Sequence, residues 1–344
     1  MITAVTGATG HIGANLVRSL VAAGGRVRCV VRRDRAALEG LDVECLQGDV
    51  LDQATLREAF RGATTVFHLA ALISIDGDRH GLVTATNVDG ARHVAEAALA
   101  CGVRRLVHCS SIHAFVQGGP SVTVVESTPR ALDARHAAYD RSKAAGERAV
   151  RDVVARGLDA VIVHPTAVIG PHDYKPSRMG RLLLDLQARR LPALIPGGFD
   201  WVDVRDVVAG LLSAAERGRS GESYLLSGRY ASLAELARLA ADVTGVPPPR
   251  WSAPSWLARA AAPFSMGLGR LRGREPLFTT QSLDTLAMGT QVDCARARRD
   301  LGYSARDLRT TLRDTYAWFA DADPRRLERP PAAGSRPFGL RDGA

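Results

Sequence analysis

The sequence is poor in the features that stabilise secreted proteins or anchor membrane proteins. Its five cysteines are scattered and lack metal-ligand spacing, which argues against a disulfide framework and against a zinc site. No apolar run is long enough to span a bilayer, and the N-terminal MITAVTGATGHIG lacks the basic, apolar and cleavage regions of a signal peptide. We therefore expect a cytoplasmic protein with no membrane span and no metal site.

Blocks of basic residues are also absent, although the formal net charge is +9. The excess charge is arginine dispersed along an alanine- and glycine-rich chain, without a Lys/Arg run or a basic stripe studded with aromatic residues. This pattern indicates a diffusely basic surface and no nucleic-acid partner. With 344 residues, 46% of them hydrophobic, the chain can build one large core or a core and a smaller second lobe.

Short β-branched runs alternate with helical patterns in the first half of the chain, as is typical of a parallel sheet covered on both faces. The pattern predicts strands over 2–6, 26–31, 43–47, 65–70, 104–109 and 159–164, and helices at about 11–23, 53–61, 80–101 and 136–156. The predicted fold class is α/β, a doubly wound Rossmann sheet with a smaller C-terminal substrate-binding subdomain.

The alternation becomes irregular after the segment HPTAVIGP. We predict a nucleotide-binding core over 1–170 and a mixed substrate-binding region over 171–322, within which elements at about 199–230 return to the sheet. Residues 251–290 carry large apolar side chains among small and basic ones and are predicted to cover the substrate; a membrane-surface helix is the alternative, weakened by Gly and Pro. Residues 323–344 are predicted to be a disordered tail.

The segment TGATGHIG follows the first predicted strand and opens the first helix. Glycines at 7, 10 and 13 permit a tight turn and a close approach of a pyrophosphate, whose charge meets backbone N–H groups at the helix N-terminus. A purely structural turn is the alternative. The residues predicted to bind the cofactor here are Gly7, Thr9, Gly10, His11, Ile12 and Gly13.

The end of the second predicted strand bears on the choice of cofactor. An acid there hydrogen-bonds ribose hydroxyls in NAD sites, whereas a cation accommodates a 2′-phosphate. Here the strand RVRCVV ends in Arg32 and Arg33, whose guanidinium groups suit a phosphate. We predict NADPH over NADH; Asp34 is the rival, because a strand end displaced by two residues would restore an acid.

Together with the glycine turn, the segments QGDVLD, HLAA, TNVDG, HCSS and YDRSK resemble the extended short-chain dehydrogenase/reductase family. The resemblance runs from residue 1 to about 320 and is most like the dihydroflavonol reductase and 3β-hydroxysteroid dehydrogenase branch. It implies a homodimer formed through the helices near 80–101 and 139–156.

The resemblance also implies roles for residues at the strand ends. Asp49 would bind the adenine amino group, with a helix N-cap or turn role as the alternative, and Asn87 would brace the active-site strands. His68 is interpreted as a packed strand residue, and His164 stands where related enzymes often have Arg or Asn. The implied cofactor contacts are Asp49, Val50, Leu69, Ala70, Ala71, Pro165 and Val168, with Tyr139 and Lys143.

The catalytic set that the resemblance carries over is Ser111, Tyr139 and Lys143, with Ser110 as a packed or cofactor-facing neighbour. Reduction of a carbonyl group requires these residue types. Hydride transfer to a carbonyl leaves an alkoxide that must be protonated. An ammonium four residues from a tyrosine lies on the same helix face and favours the phenolate. A serine hydroxyl can hold the substrate oxygen. An exposed, chemically inert helix pair is the alternative for Tyr139 and Lys143.

The leading functional hypothesis is an NADPH-dependent reductase of a hydrophobic ketone or aldehyde. The alternatives are a nucleotide-sugar epimerase or dehydratase that retains NAD, with Arg178 and Arg181 as candidate pyrophosphate ligands, and a non-catalytic cofactor sensor. The residues expected near the substrate, each with ordinary packing as the alternative, are His113, Phe115, His172, Tyr174 and Trp201.

Overall fold

The computed structural model of the chain describes residues 1–74, 77–78, 80–119, 122–254, 256–257 and 280–322. The predicted tail and most of the stretch predicted to cover the substrate lie outside the described residues. The division into a core over 1–170 and a substrate-binding region over 171–322 stays a prediction.

Twelve strands are present in the described part of the chain. They are β1 (Ile2–Thr6), β2 (Arg26–Val31), β3 (Glu44–Gln47), β4 (Ala63–His68), β5 (Arg105–Cys109), β6 (Thr123–Val124), β7 (Ala160–Pro165), β8 (Ala167–Ile169), β9 (Gly198–Asp203), β10 (Ser223–Leu226), β11 (Arg229–Ser232) and β12 (Gln291–Val292).

The helices lie mostly between these strands in sequence. They are α1 (His11–Ala22), α2 (Gln53–Phe60), α3 (Leu82–Thr84), α4 (Gly90–Ala100), α5 (Ala138–Val154), α6 (Arg178–Gln187), α7 (Val204–Arg217), α8 (Leu233–Thr244), α9 (Thr280–Met288), α10 (Ala295–Leu301) and α11 (Leu308–Asp321). The backbone between α3 and α4 is π-helical over Ala85–Asp89. No described helix is both long and apolar enough to cross a bilayer.

Seven parallel strands form the central sheet in the order β10-β7-β5-β4-β1-β2-β3. The six predicted strands lie within two residues of β1, β2, β3, β4, β5 and β7. The order reverses between β1 and β4, so the carboxyl ends of β1 and β4 flank the crevice where open α/β sheets bind ligands. The predicted doubly wound Rossmann fold is confirmed.

Apolar side chains cover both faces of this sheet because parallel strands are buried on each side. On one face Leu16 of α1 and Leu211 of α7 pack in one cluster, and on the other Leu56 of α2, Val94 of α4 and Val150 of α5 pack in a second. The π-helical segment Ala85–Asp89 and α5 approach closely, since a Cβ on Gly146 would lie 2.3 Å from the carbonyl oxygen of Asn87. The catalytic candidates on α5 are thereby pressed against the sheet.

A third apolar cluster lies beside the small sheet β11-β9-β8. It joins Leu183 of α6, Trp201 of β9, Leu236 of α8 and Phe319 of α11. The strand β10 nevertheless pairs with β7 in the main sheet, so the chain returns to that sheet after β9. The late part of the sequence therefore contributes to both sheets.

Helix starts follow from local capping chemistry. Asp52, Asp203 and Ser232 each accept a hydrogen bond from a first-turn backbone N–H of α2, α7 and α8. The start of α1 differs because Gly10, which has no side chain, occupies the cap position. The N-terminal N–H groups of α1 therefore meet no capping side chain from that position.

Two histidines are buried side by side in the central sheet. His68 of β4 pairs with His108 of β5, and their ring centres lie 5.1 Å apart. The Nδ1 atom of His68 is 2.8 Å from the hydroxyl oxygen of Thr6. Burial, assisted by the charge of Lys143, lowers the pKa of His68 to about 3. Burial, the neighbouring His68 and the charge of Lys143 lower the pKa of His108 well below its usual value.

These depressed pKa values predict that the fold loses stability in mild acid. Below the unfolded-state pKa of about 6.5, the unfolded chain binds protons that the buried histidines do not, so stability falls by up to ~1.4 kcal/mol per pH unit for each histidine. We expect His68→Asn to reduce the slope of unfolding free energy against pH between pH 6 and 4 by about that amount. Urea denaturation at each pH measures the slope.

The matched control is His80→Asn, because His80 is exposed. An equal change of slope in both variants, or no change in His68→Asn, contradicts the assignment.

Candidate active site

The glycine turn packs against the end of β4. Gly7 has φ +72°, and a Cβ at this position would lie 2.5 Å from the backbone nitrogen of Ala70 and 2.6 Å from the carbonyl carbon of Leu69. A Cβ on Gly13 would lie 2.1 Å from the carbonyl oxygen of Gly7. No side chain fits in either place, so the turn holds the start of α1 close to the backbone of β1 and β4.

The turn exposes the uncapped start of α1 at the carboxyl edge of the sheet. Gly10 is exposed, while Thr9, His11 and Ile12 are partly buried around it. Free N–H groups, a favourable helix dipole and the absence of Cβ atoms are the properties that a pyrophosphate site requires. The predicted turn residues are therefore brought together in a form that fits a dinucleotide.

The segment after β8 crosses the N-terminal half of α1. Asn15 Nδ2 donates to the carbonyl oxygen of Pro171 at 2.9 Å, and His11 Nε2 lies 3.1 Å from the same oxygen. Arg18 donates to the hydroxyl oxygen of Tyr174 at 2.6 Å, and its guanidinium carbon lies 4.9 Å from the centre of that ring. These contacts place residues 171–175 beside the glycine turn.

The strand β2 ends at Val31, so Arg32 and Arg33 follow it directly and both are exposed. Asp34, the rival determinant, is also exposed, and its Oδ1 accepts a hydrogen bond from the N–H of Ala36 at 2.9 Å. Its Oδ2 lies 2.6 Å from the Nζ of Lys175. Both cations and the acid therefore border the same crevice.

The segment after β3 forms a turn that faces the α4 start. Asp49 Oδ1 accepts from the N–H of Leu51 at 3.0 Å, which makes Asp49 a turn residue, and the cap of α2 is Asp52. Val50 is buried, and a Cβ on Gly90 would lie 2.8 Å from its side chain. The assignment of Asp49 and Val50 to the adenine stays a prediction.

Asn87 ties the loop after β4 to the helix α5. Its side-chain amide donates to the carbonyl oxygen of Leu72 at 2.9 Å and to the hydroxyl of Ser142 at 2.9 Å, and its Oδ1 accepts from the N–H of Leu72 at 2.8 Å. The Ser142 hydroxyl donates in turn to the carbonyl oxygen of Tyr139 at 2.7 Å. Asn87 therefore joins Leu72, which follows Leu69–Ala71, to Ser142 of α5. Its role in bracing the active-site strands stays a prediction.

The three catalytic candidates meet at the carboxyl end of β5. Ser111, Tyr139 and Lys143 are each at least nine-tenths buried. Ser111 lies close enough to the Tyr139 phenol to lower its pKa, and Lys143 Nζ donates to the carbonyl oxygen of Cys109 at 3.0 Å. Pro165, at the end of the neighbouring strand β7, and Val168, in β8, follow on the same edge. This burial excludes the exposed helix pair that the spacing alone left open.

The protonation of Tyr139 differs from the sequence-based expectation. Burial raises the pKa of the phenol above its ordinary value, while the Ser111 hydrogen bond and the charge of Arg178 act in the opposite direction. Burial also lowers the pKa of Lys143, against the effects of Cys109 and Glu147. Desolvation outweighs the neighbouring charges because both groups lie in the low-dielectric interior. The phenol therefore stays protonated at neutral pH.

The buried carboxylate of Glu147 lies one further turn along the same face of α5. Its Oε1 accepts from the hydroxyl of Ser110 at 2.6 Å and from Nε2 of His164 at 2.7 Å, and its Oε2 accepts from Nε of Arg130 at 2.7 Å. Glu147 is 1% exposed, and the pKa of its carboxyl is strongly lowered by His164 and Arg130, in spite of burial. This one carboxylate therefore links the end of β5, the strand β7 and the segment before α5.

The five residues expected near the substrate fall into two groups, two in the apolar core and three near the crevice. Phe115 and Trp201 are 1% and 2% exposed and belong to the apolar core, so the pocket prediction is wrong for them. Phe115 packs between Arg130 and His164, and Trp201 Nε1 donates to the carbonyl oxygen of Ala231. A large aromatic ring near a strand end gains more from burial than from lining a wet crevice.

The other three expected residues remain near the crevice. His113 contacts Asp140 at 3.0 Å, and its ring lies 5.5 Å from that of Tyr139. His172 and Tyr174 stack with ring centres 6.0 Å apart, beside Trp318 of α11. Arg178 and Arg181 are the candidate ligands for the pyrophosphate of a nucleotide sugar. The charge of Arg178 acts on Tyr139, whereas Arg181 donates to the carbonyl oxygen of Pro176.

The described residues contain no cluster of three or more His, Cys, Asp or Glu side chains arranged to hold a metal ion. They do fit a dinucleotide: the uncapped α1 start would hold the pyrophosphate, and Tyr139 and Lys143 would lie near the nicotinamide; both roles stay predictions. Comparison with known families gives the same answer. The NAD-dependent epimerase/dehydratase family matches residues 3–227, from β1 through β10.

The chain belongs to the NAD-dependent epimerase/dehydratase family. This confirms the resemblance to extended short-chain dehydrogenases/reductases. The chain is accordingly an enzyme, an NAD(P)-dependent oxidoreductase that acts on CH–OH and C=O groups.

Individual relatives in the family are similar over nearly the whole chain. Sterol demethylase protein B of Methylococcus capsulatus is 41% identical over 93% of this chain and 99% of its own length. A putative dihydroflavonol 4-reductase of Synechocystis is 33% identical over 92% and 93%. The solved structure of PA4631, a nucleoside-diphosphate-sugar epimerase from Pseudomonas aeruginosa, is 29% identical with a TM-score of 0.76, covering 93% of this chain and 98% of its own.

In this epimerase/dehydratase family member, sequence reasoning missed Glu147, Arg130 and the role of Ser110. One signal was available, because Glu147 follows Lys143 by four residues just as Lys143 follows Tyr139, so all three lie on one helix face. Arg130 carried no such signal, since it lies in an irregular segment and reaches Glu147 only through the fold.

The buried Glu147 network predicts a large stability cost for removing its charge. Glu147→Gln removes the charge of a carboxylate that is 1% exposed and leaves Arg130, whose side chain is 19% exposed, without its anion. We expect the free energy of unfolding to fall by about 3 kcal/mol. Urea denaturation at pH 7 measures it. The control is Glu96→Gln, whose partner Arg156 has a side chain that is 58% exposed, with an expected loss below about 1 kcal/mol. Similar losses in the two variants would show that the network is not a structural support.

Proposed function

We propose that this enzyme reduces a ketone or aldehyde of a hydrophobic small molecule, with NADPH as the hydride donor and Tyr139 as the proton donor. The burial of Ser111, Tyr139 and Lys143 together at the end of β5 is the observation that carries the proposal. Burial raises the pKa of Tyr139, so the phenol holds its proton until a developing alkoxide takes it.

Each residue of the site has a separate role in the proposed reaction. When bound, NADPH supplies the hydride. Ser111 donates a hydrogen bond to the substrate oxygen and so stabilises its developing negative charge. Tyr139 transfers the phenolic proton to that oxygen, and Lys143 stabilises the phenolate that remains. Asn87 and Ser142 hold the backbone of Tyr139 so that the phenol keeps its direction.

The preference for NADPH rests on the charges at the end of β2. Arg32 and Arg33 are exposed there, with no apolar cover to keep them from a phosphate. A guanidinium binds phosphate oxygens in two parallel hydrogen bonds, an arrangement that a ribose hydroxyl cannot match.

The choice of a hydrophobic ring ketone rests on the relatives. The names of two similar proteins refer to a sterol and to a dihydroflavonol, both multi-ring compounds. We propose a sterol-like or flavonoid-like substrate for this chain. The cytoplasmic location and the homodimer remain predictions from the sequence.

A nucleotide-sugar reaction is the second candidate, favoured by the similarity to the epimerase PA4631 and by Arg178 near Tyr139. It uses the same Ser111, Tyr139 and Lys143 but retains NAD through the catalytic cycle. Protein that is purified with tightly bound NAD, and that oxidises no free NADPH with any ketone, would replace the reductase proposal with this one.

Tyr139→Phe removes the proposed proton donor and keeps the ring. With steroidal, flavonoid and polyketide-like ketones as substrates, we expect kcat to fall by about 100-fold or more, because general acid catalysis contributes factors of that size. NADPH consumption at 340 nm is the assay. Tyr230→Phe, in β11 outside the site, should keep full activity. Retention of more than a few per cent of kcat in Tyr139→Phe rules out the phenol as the acid.

Arg33→Ala removes one of the two exposed guanidinium groups after β2. We expect kcat/KM for NADPH to fall by about ten-fold and kcat/KM for NADH to stay within about two-fold, since a charge-assisted hydrogen bond to phosphate is lost and none to a ribose hydroxyl. Steady-state kinetics with both cofactors measures the two ratios. A clear preference of the unaltered enzyme for NADH contradicts the cofactor assignment.

A further inference from the structure

Lys175 lies beside the end of β2 although more than 140 residues separate them in the sequence. Its Nζ is 2.6 Å from Asp34 Oδ2, and its side chain is 56% exposed. Arg32, Arg33 and Asp34 are exposed at the same place. Three cations and one anion thus share the position where a Rossmann enzyme distinguishes a ribose hydroxyl from a 2′-phosphate.

The position of Lys175 depends on more than the ion pair. An exposed ion pair of this kind contributes little stability by itself. The residues just before Lys175 are attached to α1: Pro171 through Asn15 and His11, and Tyr174 through Arg18. Tyr174 also packs edge-to-face on Trp318, with ring centres 5.2 Å apart. These contacts attach residues 171–174 to α1 and α11 independently of the Lys175–Asp34 ion pair.

Lysine is rare in this chain. Of 45 Lys and Arg residues, only two are lysines, Lys143 and Lys175. Lys143 belongs to the catalytic set and is 4% exposed. The two lysines therefore differ sharply in burial, so reagents that modify amines can report on Lys175 separately.

We propose that Lys175 is a specificity-determining residue for the cofactor, which neutralises Asp34 and joins Arg32 and Arg33 in holding a 2′-phosphate. The inference rests on the proposed use of NADPH and adds a residue to that site. An unpaired carboxylate at the β2 end would repel a phosphate and favour a ribose hydroxyl. With Lys175 against it, Asp34 no longer opposes the phosphate, and the compact ammonium can bind a phosphate oxygen as a point charge.

The first test measures binding without catalysis. The full chain is titrated with 2′,5′-ADP, which carries the 2′-phosphate, and with 5′-AMP, which lacks it, by calorimetry. Lys175→Met keeps the unbranched stem and removes the charge. We expect the affinity for 2′,5′-ADP to fall by about ten-fold or more and that for 5′-AMP to change by less than about two-fold.

Two control variants separate charge from folding. Lys175→Arg keeps a cation and should retain most of the affinity for 2′,5′-ADP. Arg309→Met removes a comparably exposed ion pair with Asp242, between α8 and α11, and should change neither affinity. If Lys175→Arg loses as much affinity as Lys175→Met, the charge of Lys175 is not what binds the phosphate and the inference is overturned.

The second test uses the unaltered protein. Acylation of lysine amines, followed by peptide mass spectrometry, should modify Lys175 quickly and the buried Lys143 slowly. Saturating NADP⁺ should slow the modification of Lys175 by about five-fold or more relative to saturating NAD⁺, because only NADP⁺ places a phosphate against the ammonium. Equal rates with the two cofactors contradict the inference.

The outcomes of the titrations separate a failure of the proposed NADPH preference from a failure of the proposed role of Lys175. If the unaltered chain binds 2′,5′-ADP no more tightly than 5′-AMP, the proposed use of NADPH fails, and the role of Lys175 fails with it. If the unaltered chain prefers 2′,5′-ADP and Lys175→Met shows the same preference, NADPH stands and only the role of Lys175 is overturned.

Discussion

The burial of one carboxylate, Glu147, is the constraint on which the arrangement of the proposed catalytic residues depends. A charged group at 1% exposure is tolerated only when hydrogen bonds and an opposite charge replace the lost water. Ser110, His164 and Arg130 supply three donors from three different parts of the chain. The helix α5 cannot rotate or slide without breaking at least one of these bonds.

That restriction sets the direction of the reactive groups. Lys143 and Tyr139 lie one and two turns before Glu147 on the same face of α5, so fixing Glu147 against β5 and β7 points both toward the end of β5. Ser110 is held by Glu147, and its neighbour Ser111 lies beside the Tyr139 phenol. The serine and the tyrosine are therefore aligned by a residue that does not take part in the chemistry.

The crevice beside this assembly is built from backbone as much as from side chains. Gly7 and Gly13 bring α1 so close to β1 and β4 that no Cβ fits between them. The segment 171–175 then crosses α1 and carries Lys175 to the far end of the crevice. One continuous edge of the sheet thus joins the charges after β2, the α1 N-terminus and the buried phenol. This order is the one that an extended dinucleotide requires.

The β-branched runs were enough to predict the sheet, because they are a local pattern. From glycine spacing and a four-residue helical repeat, the sequence also predicts a cofactor role for the glycine turn and a catalytic set, and those roles stay predictions. The sequence did not determine which aromatic rings are buried, since Phe115 and Trp201 reach their packing partners only across the fold. Nor did it determine the protonation of Tyr139, where desolvation outweighs the neighbouring charges. The contacts of Glu147 with Arg130 and of Lys175 with Asp34 join residues far apart in the chain. Only the tertiary structure decides such contacts, because burial and proximity between distant residues leave no periodic signal in the sequence.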